Sequence, residues 1–306
     1  MTFQEKLDAI VKKNNSLVCI GLDSDVEKVR TVIPDLIRDL DKKEMLKQVQ
    51  HDKYSQFLFN KAIIEATHDL VCSYKLNSAF YESIGHEGIK ALKDSCDYLK
   101  EKYPEIPIII DAKRADIGNT NNGYVQFVFT YLNADAVTLH PYFGEEAIRP
   151  FLECKDKGVI ILCKTSNPGS GEFQNLNVIP TEVEGSSQKD SSTTLRSARN
   201  DKRGTELYKI VAKNVSKKWN TNKNCLLVVG ATYPDELKQV RKIVGDMTIL
   251  VPGIGAQGGD LEATLRAGLN SKNKGLMINS SRGIIFAKNP REEAKKLRYS
   301  INKFSF

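Results

Sequence analysis

The sequence predicts an eight-stranded α/β barrel. Three observations lead there: eight short apolar runs recur along the 306 residues, amphipathic stretches of helical period separate them, and most runs are continuous rather than alternating. A strand that alternates apolar and polar residues keeps one face wet. A continuous β-branched run is buried on both faces, as parallel strands covered by helices are. The length suits one large barrel or two average domains.

In chain order the predicted strands are 17–22 (LVCIGL), 71–76 (VCSYKL), 107–111 (PIIID), 135–139 (DAVTL), 158–163 (GVIILC), 225–230 (CLLVVG), 247–251 (MTILV) and 274–278 (KGLMI). Helical patterns cover 55–69, 86–100, 121–132, 145–156, 205–219, 234–244, 259–268 and 289–302. In 86–100, Ile89, Leu92, Cys96 and Leu99 share one face; in 205–219, Leu207, Ile210, Val211 and Val215 do so. Strand followed by helix, eight times, is the (β/α)₈ barrel of the TIM type, with 1–306 as a single domain. A doubly wound sheet would need a Gly-rich turn after its first strand, and that strand ends Gly21-Leu22-Asp23.

Two segments break the rhythm, 32–53 (VIPDLIRDLDKKEMLKQVQHDK) and 178–202 (VIPTEVEGSSQKDSSTTLRSARNDK). Both open Val-Ile-Pro, close Asp-Lys, and fall in βα connections, after the first and fifth strands. Connections this long are uncommon in compact domains. We read them as insertions, peptides translated from repeats that spread into the reading frame; the functional alternative is a lid.

Apolar residues are 41% and charged residues 27% of the chain, an ordinary globular composition. No apolar run is long enough to span a bilayer, and the N-terminus lacks the apolar core of a secretory signal. The six cysteines are scattered, several inside apolar runs, and read as reduced core residues of a cytoplasmic protein. The four histidines lack metal-ligand spacing. The net charge of +7 is spread along the chain with no nucleic-acid-binding motif, so it reads as a solvated lysine surface.

The strongest chemical signal is Asp111-Ala-Lys113-Arg-Ala-Asp116, ending the third strand. Residues i and i+2 of a strand share a face, so Asp111 and Lys113 are expected to point together into the barrel mouth, where catalytic residues of this fold collect. Lys75 ends the second strand and Asp23 follows the first. A lysine among carboxylates keeps its proton and is a proton donor rather than an imine-forming nucleophile. Two further segments, Val251–Gly259 (VPGIGAQGG) and Asn279–Gly283 (NSSRG), follow the seventh and eighth strands. Barrels often bind phosphate there, with glycine amides and, here, Arg282. Gly253–Gly258 also spells G-x-G-x-x-G, but it lies late in the chain and the next strand lacks the acid that would hold a ribose. Thr165–Ser170 (TSNPGS) and Gly230–Pro234 (GATYP) are weak signals taken alone.

Together and in order, GLD at 21–23, YKLNSAFYE at 74–82, DAKRADIGNT at 111–120, HPYFGEEAIRPF at 140–151, KTSNPGS at 164–170, VVGATYP at 228–234, VPGIGAQGG at 251–259 and NSSRGI at 279–284 resemble the orotidine 5′-phosphate decarboxylases, in particular their longer bacterial subfamily. The resemblance covers nearly the whole chain outside the two insertions. It implies decarboxylation of orotidine 5′-monophosphate to UMP, the last step of de novo pyrimidine synthesis, with no metal and no organic cofactor. It implies that Lys113 protonates C6, that Asp111 and Asp116 frame it, and that Lys75 links the charged array to the ribose. It also implies that Asp23 holds a ribose hydroxyl, that Ser166 contacts the base, that Gln257 and Arg282 hold the phosphate, and that Ser281 is among the substrate-binding residues. A homodimer is implied, with Asp116 and Thr120 crossing the interface. The alternatives are a Mg-dependent keto-sugar-phosphate decarboxylase or aldolase sharing D-x-K-x-x-D, and a non-enzymatic nucleotide-binding barrel.

Overall fold

The computed structural model of the chain describes residues 1–31, 55–179, 204–255 and 258–305. Eight parallel strands close on themselves: β1 (Val18–Gly21), β2 (Ser73–Asn77), β3 (Ile108–Arg114), β4 (Ala136–Leu139), β5 (Gly158–Lys164), β6 (Cys225–Val229), β7 (Ile249–Pro252) and β8 (Leu276–Ser280). Each pairs with its neighbours in sequence, and β1 pairs with β8, Val18 opposite Ile278 and Cys19 opposite Asn279. Every residue of β1, β4 and β6 is buried. This is what their unbroken apolar runs require, since each Val, Leu or Ile withdrawn from water stabilises the fold by about 1.5–3 kcal/mol.

The predicted helices form, with adjusted ends. Helix His86–Lys102 buries Leu92, Cys96 and Leu99 as expected. The 121–132 pattern becomes an α-helix over Thr120–Val125 that widens into π turns over Gln126–Tyr131. The 205–219 pattern loses its first two residues to a strand, begins at Leu207, and widens in the same way over Val215–Trp219. Its buried side chains are Tyr208, Ala212, Val215 and Trp219, so the face against the barrel is turned from the expected one.

The sequence reading gave no helix to the first residues, yet Phe3–Asn14 is helical. Thr2 and Glu5 form a reciprocal capping box, and Phe3, Leu7, Ile10 and Val11 are buried. The helix packs across the N-terminal rim. Phe3 lies against Gly158 at the start of β5, where a Cβ would come within 2.8 Å of the ring. Lys6 pairs with Asp135 at 2.9 Å, and Gln4 accepts a hydrogen bond from Thr248. The cavity lined by the residues singled out from sequence lies at the other end, at the C-terminal ends of the strands.

The segment 32–53 lies outside the described residues. Of 178–202, the described part is Val178 and Ile179. Asn177–Val178 and Thr205–Glu206 form a two-stranded antiparallel ribbon, Asn177 opposite Glu206 and Val178 opposite Thr205. Among the described residues no helix is long and apolar enough to cross a membrane.

Candidate active site

A cavity of about 600 Å³ opens at the C-terminal ends of the strands. Asp23, Lys75, Asp111, Lys113, Ser166, Ser281 and Arg282 all line it. Asp111 is its electrostatic centre. Its Oδ2 accepts from Lys75 Nζ at 2.9 Å, and its Oδ1 accepts from Lys113 Nζ at 2.7 Å and from Thr138 Oγ1 at 2.8 Å. Lys75 Nζ also lies 3.6 Å from Asp23 Oδ1. Acid, amine, acid and amine thus form one chain of contacts across β1, β2 and β3. Lys75 is 4% exposed, whereas the Lys113 side chain is 47% exposed, facing the cavity.

Asp111 and Lys113 meet, but not by regular strand alternation. Ile110 pairs with Val137 and Arg114 with Leu139, so β3 uses four steps where β4 uses two. The excess residues bulge, and Lys113 takes a left-handed backbone with φ of 49°. A non-glycine residue held there costs of order 1–3 kcal/mol, a cost tolerated where the surroundings over-determine the geometry. The Lys113 amide donates to Thr138 Oγ1 at 3.0 Å, which fixes it from the neighbouring strand.

Burial alone would raise the Asp111 carboxyl. Coulombic attraction from Lys75 and Lys113, with their hydrogen bonds, outweighs it and holds Asp111 well below the usual carboxylate range. Burial likewise works against a charged Lys75, but Asp111 and Asp23 hold its proton well above the ordinary lysine range. The depressed Asp111 stabilises the fold above its unfolded value near ~3.9 and loses that contribution as pH falls through its lower folded value. The raised Lys75 contributes below ~10.4 and loses its share only as pH rises through its higher folded value. Both are therefore fully present across mildly acidic to mildly alkaline pH. Lys75→Met removes one partner of a buried pair and is expected to lower unfolding free energy by about 3–5 kcal/mol. In urea titrations the deficit should be equal at pH 5, 7 and 9. A variant as stable as the parent would refute the coupling.

The opposite wall carries a glycine-rich loop and an arginine. The loop after β7 turns on Gly253, Gly255 and Gly258, all with positive φ, and folds back through bonds from Gly258 N to Gly255 O and from Gly259 N to Gly253 O. Gln257 lies outside the described residues. Arg282 opens the short helix Arg282–Ile285, is exposed, and makes no ion pair among the described residues. Ser281 packs so closely on β1 that a Cβ on Gly21 would stand 1.9 Å from its Oγ, which explains the glycine in Gly21-Leu22-Asp23.

Asp116 and Thr120 do not line the cavity. Among the described residues the acid contacting Lys113 is Asp111, so the expected framing by two acids is half present. The Asp116 backbone is tied to Asn121, whose Oδ1 accepts from Asp116 N at 2.9 Å. Thr120 is exposed at the start of its helix.

Three residues at or beside the site carried no chemical signal of their own in the sequence, Asn77, Thr138 and Lys164, while Asn279 opens the segment after β8 named above. Asn77, Thr138 and Asn279 line the cavity. Lys164 is fully buried behind it, donating to Ser170 Oγ at 2.9 Å with its Nζ 4.3 Å from the Tyr233 ring centre. It ties the Ser166 loop to the loop after β6. Its place at the end of an apolar run was the available signal.

Comparison with known proteins agrees with this architecture. The family described as "Orotidine 5'-phosphate decarboxylase / HUMPS family" matches residues 16–297. The orotidine 5′-phosphate decarboxylase of Cellvibrio japonicus is 42% identical over 309 aligned residues, covering 99% of this chain and 98% of its own. That of Janthinobacterium sp. (strain Marseille) is 41% identical, covering 99% of each. Among solved structures, the OMP decarboxylase of Leishmania donovani superposes with a TM-score of 0.78 at 35% identity, over 100% of both chains. With the matching barrel and a full-length likeness well above the level of shared fold alone, the chain belongs to the orotidine 5′-phosphate decarboxylase / HUMPS family.

Proposed function

We propose that the chain decarboxylates orotidine 5′-monophosphate to UMP, with Lys113 as the proton donor. The observation that carries the reading is the contact of Lys113 Nζ with Asp111 Oδ1 at 2.7 Å, in the same cavity as the glycine loop and Arg282. The phosphate sits on the glycine-loop amides, Gln257, Ser281 and Arg282; Asp23 and Lys75 hold the ribose, and Ser166 meets the base. The bond from C6 to the carboxylate carbon breaks heterolytically, CO₂ departs, and the electron pair stays on C6. Lys113 Nζ then gives its proton to C6, and solvent later reprotonates the amine.

That carbanion has no neighbouring electron sink, so stabilisation comes from fixed charge around it. Enzymes remove roughly 8–23 kcal/mol from such barriers. The Lys75–Asp111–Lys113 array is organised before substrate arrives and needs no rearrangement during the step. Anchoring the distant phosphate supplies binding energy that the reacting carbon does not.

The working unit is inferred to be a homodimer in which Asp116 and Thr120 enter the partner's cavity. Supporting this, Ile117, Tyr142 and Phe143 are 63%, 79% and 50% exposed. Tyr142 and Phe143 are joined to the loop after β3 through His140, whose Nε2 lies 3.0 Å from Ala115 O and whose ring packs edge-on against Phe143. Exposed apolar patches of this kind favour a partner surface. A cytoplasmic location is supported by six unpaired cysteines, five of them buried.

The test is an ultraviolet assay of orotidine 5′-monophosphate loss by purified protein in EDTA. Turnover undiminished by the chelator is expected, because both acids facing the cavity centre are met by lysine amines. Activity that collapses in EDTA and returns with Mg²⁺ would favour the keto-sugar-phosphate decarboxylase reading instead.

A further inference from the structure

Thr138 is 1% exposed and sits on β4, opposite the bulge that carries Lys113. A buried threonine hydroxyl has one hydrogen to donate and lone pairs to accept with. Here both capacities go to the same two residues of β3. The hydroxyl donates to Asp111 Oδ1 at 2.8 Å and accepts from the Lys113 amide at 3.0 Å. Asp111 Oδ1 is the oxygen that Lys113 Nζ contacts at 2.7 Å. One hydroxyl therefore grips the lysine at its backbone and, through the shared carboxylate oxygen, at its amine. The backbone it grips is left-handed, a conformation that lysine has no intrinsic preference for.

We propose that Thr138 is a positioning residue for proton delivery: its hydroxyl holds the Lys113 backbone in the left-handed turn and orients the Asp111 oxygen, so that the amine is aimed at the reacting carbon. Without the hydroxyl, the Lys113 amide and one Asp111 acceptor site lose a buried partner together. The bulge can then relax toward regular pairing, which carries Nζ away from its target. A displacement of about 1 Å suffices for a large loss in such steps. Ground-state binding need not change, because the phosphate and base contacts lie on other strands.

The inference rests on Lys113 being the proton donor, and three variants separate the two claims. Thr138→Val keeps the shape and removes the hydroxyl; Thr138→Ser keeps the hydroxyl. T138V is expected to lower kcat by about 10- to 100-fold. The dissociation constants of UMP and of ribose 5-phosphate should stay within about twofold of the parent, a factor worth well under one hydrogen bond. T138S should restore most of the lost turnover, which a simple packing role would not predict. A T138V enzyme with near-parental kcat would overturn the proposal, as would T138V and T138S equally impaired, or weaker UMP binding in step with the loss of turnover. If T138V does not fold, Thr138→Ala carries the same expectation. A chain that folds only with a hydroxyl at this position would also overturn it, since the hydroxyl would then hold the fold rather than the lysine. Lys113→Ala reports on the underlying reading: if K113A abolishes turnover and T138V leaves it intact, only the Thr138 inference fails.

Discussion

Lys113→Ala is expected to reduce turnover of orotidine 5′-monophosphate by about 10⁴-fold or more, the upper range for removing a positioned general acid. The loss should fall on kcat, because the proton is needed only once C6 carries negative charge. Folding should hardly notice. Lys113 is half exposed, and Asp111 keeps Lys75 and Thr138 as partners, so the change in unfolding free energy should stay below about 1 kcal/mol. Single-turnover absorbance together with urea unfolding separates the two effects. A K113A enzyme retaining a tenth of parental kcat would refute the assignment of this lysine.

Mixing two inactive variants is expected to restore activity. Asp116→Ala alone should lose about 10²–10³-fold, as removal of one preorganised charged group does, even though Asp116 lies outside its own protomer's cavity. K113A and D116A homodimers are then both crippled. After subunits reassort, each mixed dimer has one site carrying both defects and one carrying neither. In a symmetric dimer, equal mixing recovers about one quarter of parental activity. Activity no greater than the sum of the separate variants would mean that Asp116 does not cross between subunits.

The barrel was legible because the strands are buried on both sides. Runs such as Ile108–Ile110 and Leu226–Val229 have no polar position to disguise them. The N-terminal helix was equally legible in physical terms: Thr2, Glu5 and the Phe3, Leu7, Ile10 spacing spell a cap and an apolar face. The pairing of Asp111 with Lys113 was anticipated from alternation, whereas a bulge and a left-handed lysine bring them together. No local feature of Asp-Ala-Lys announces that. Thr138 was hidden for a related reason. In a buried strand a threonine looks like another β-branched filler, and only the neighbouring strand reveals what its hydroxyl holds. Asp116 was named from its spacing to Lys113, yet it does not line the cavity that Lys113 faces.

The narrow ribbon of Asn177–Val178 against Thr205–Glu206 has a consequence for how this chain can change. Two strands hydrogen-bonded side by side settle the ends of whatever is strung between them. From there, doubling the intervening length adds only about 0.6 kcal/mol of closure entropy. Changes of length between the two strands are therefore expected to cost the barrel little. That makes the neck a natural point for grafting a reporter peptide or a second domain.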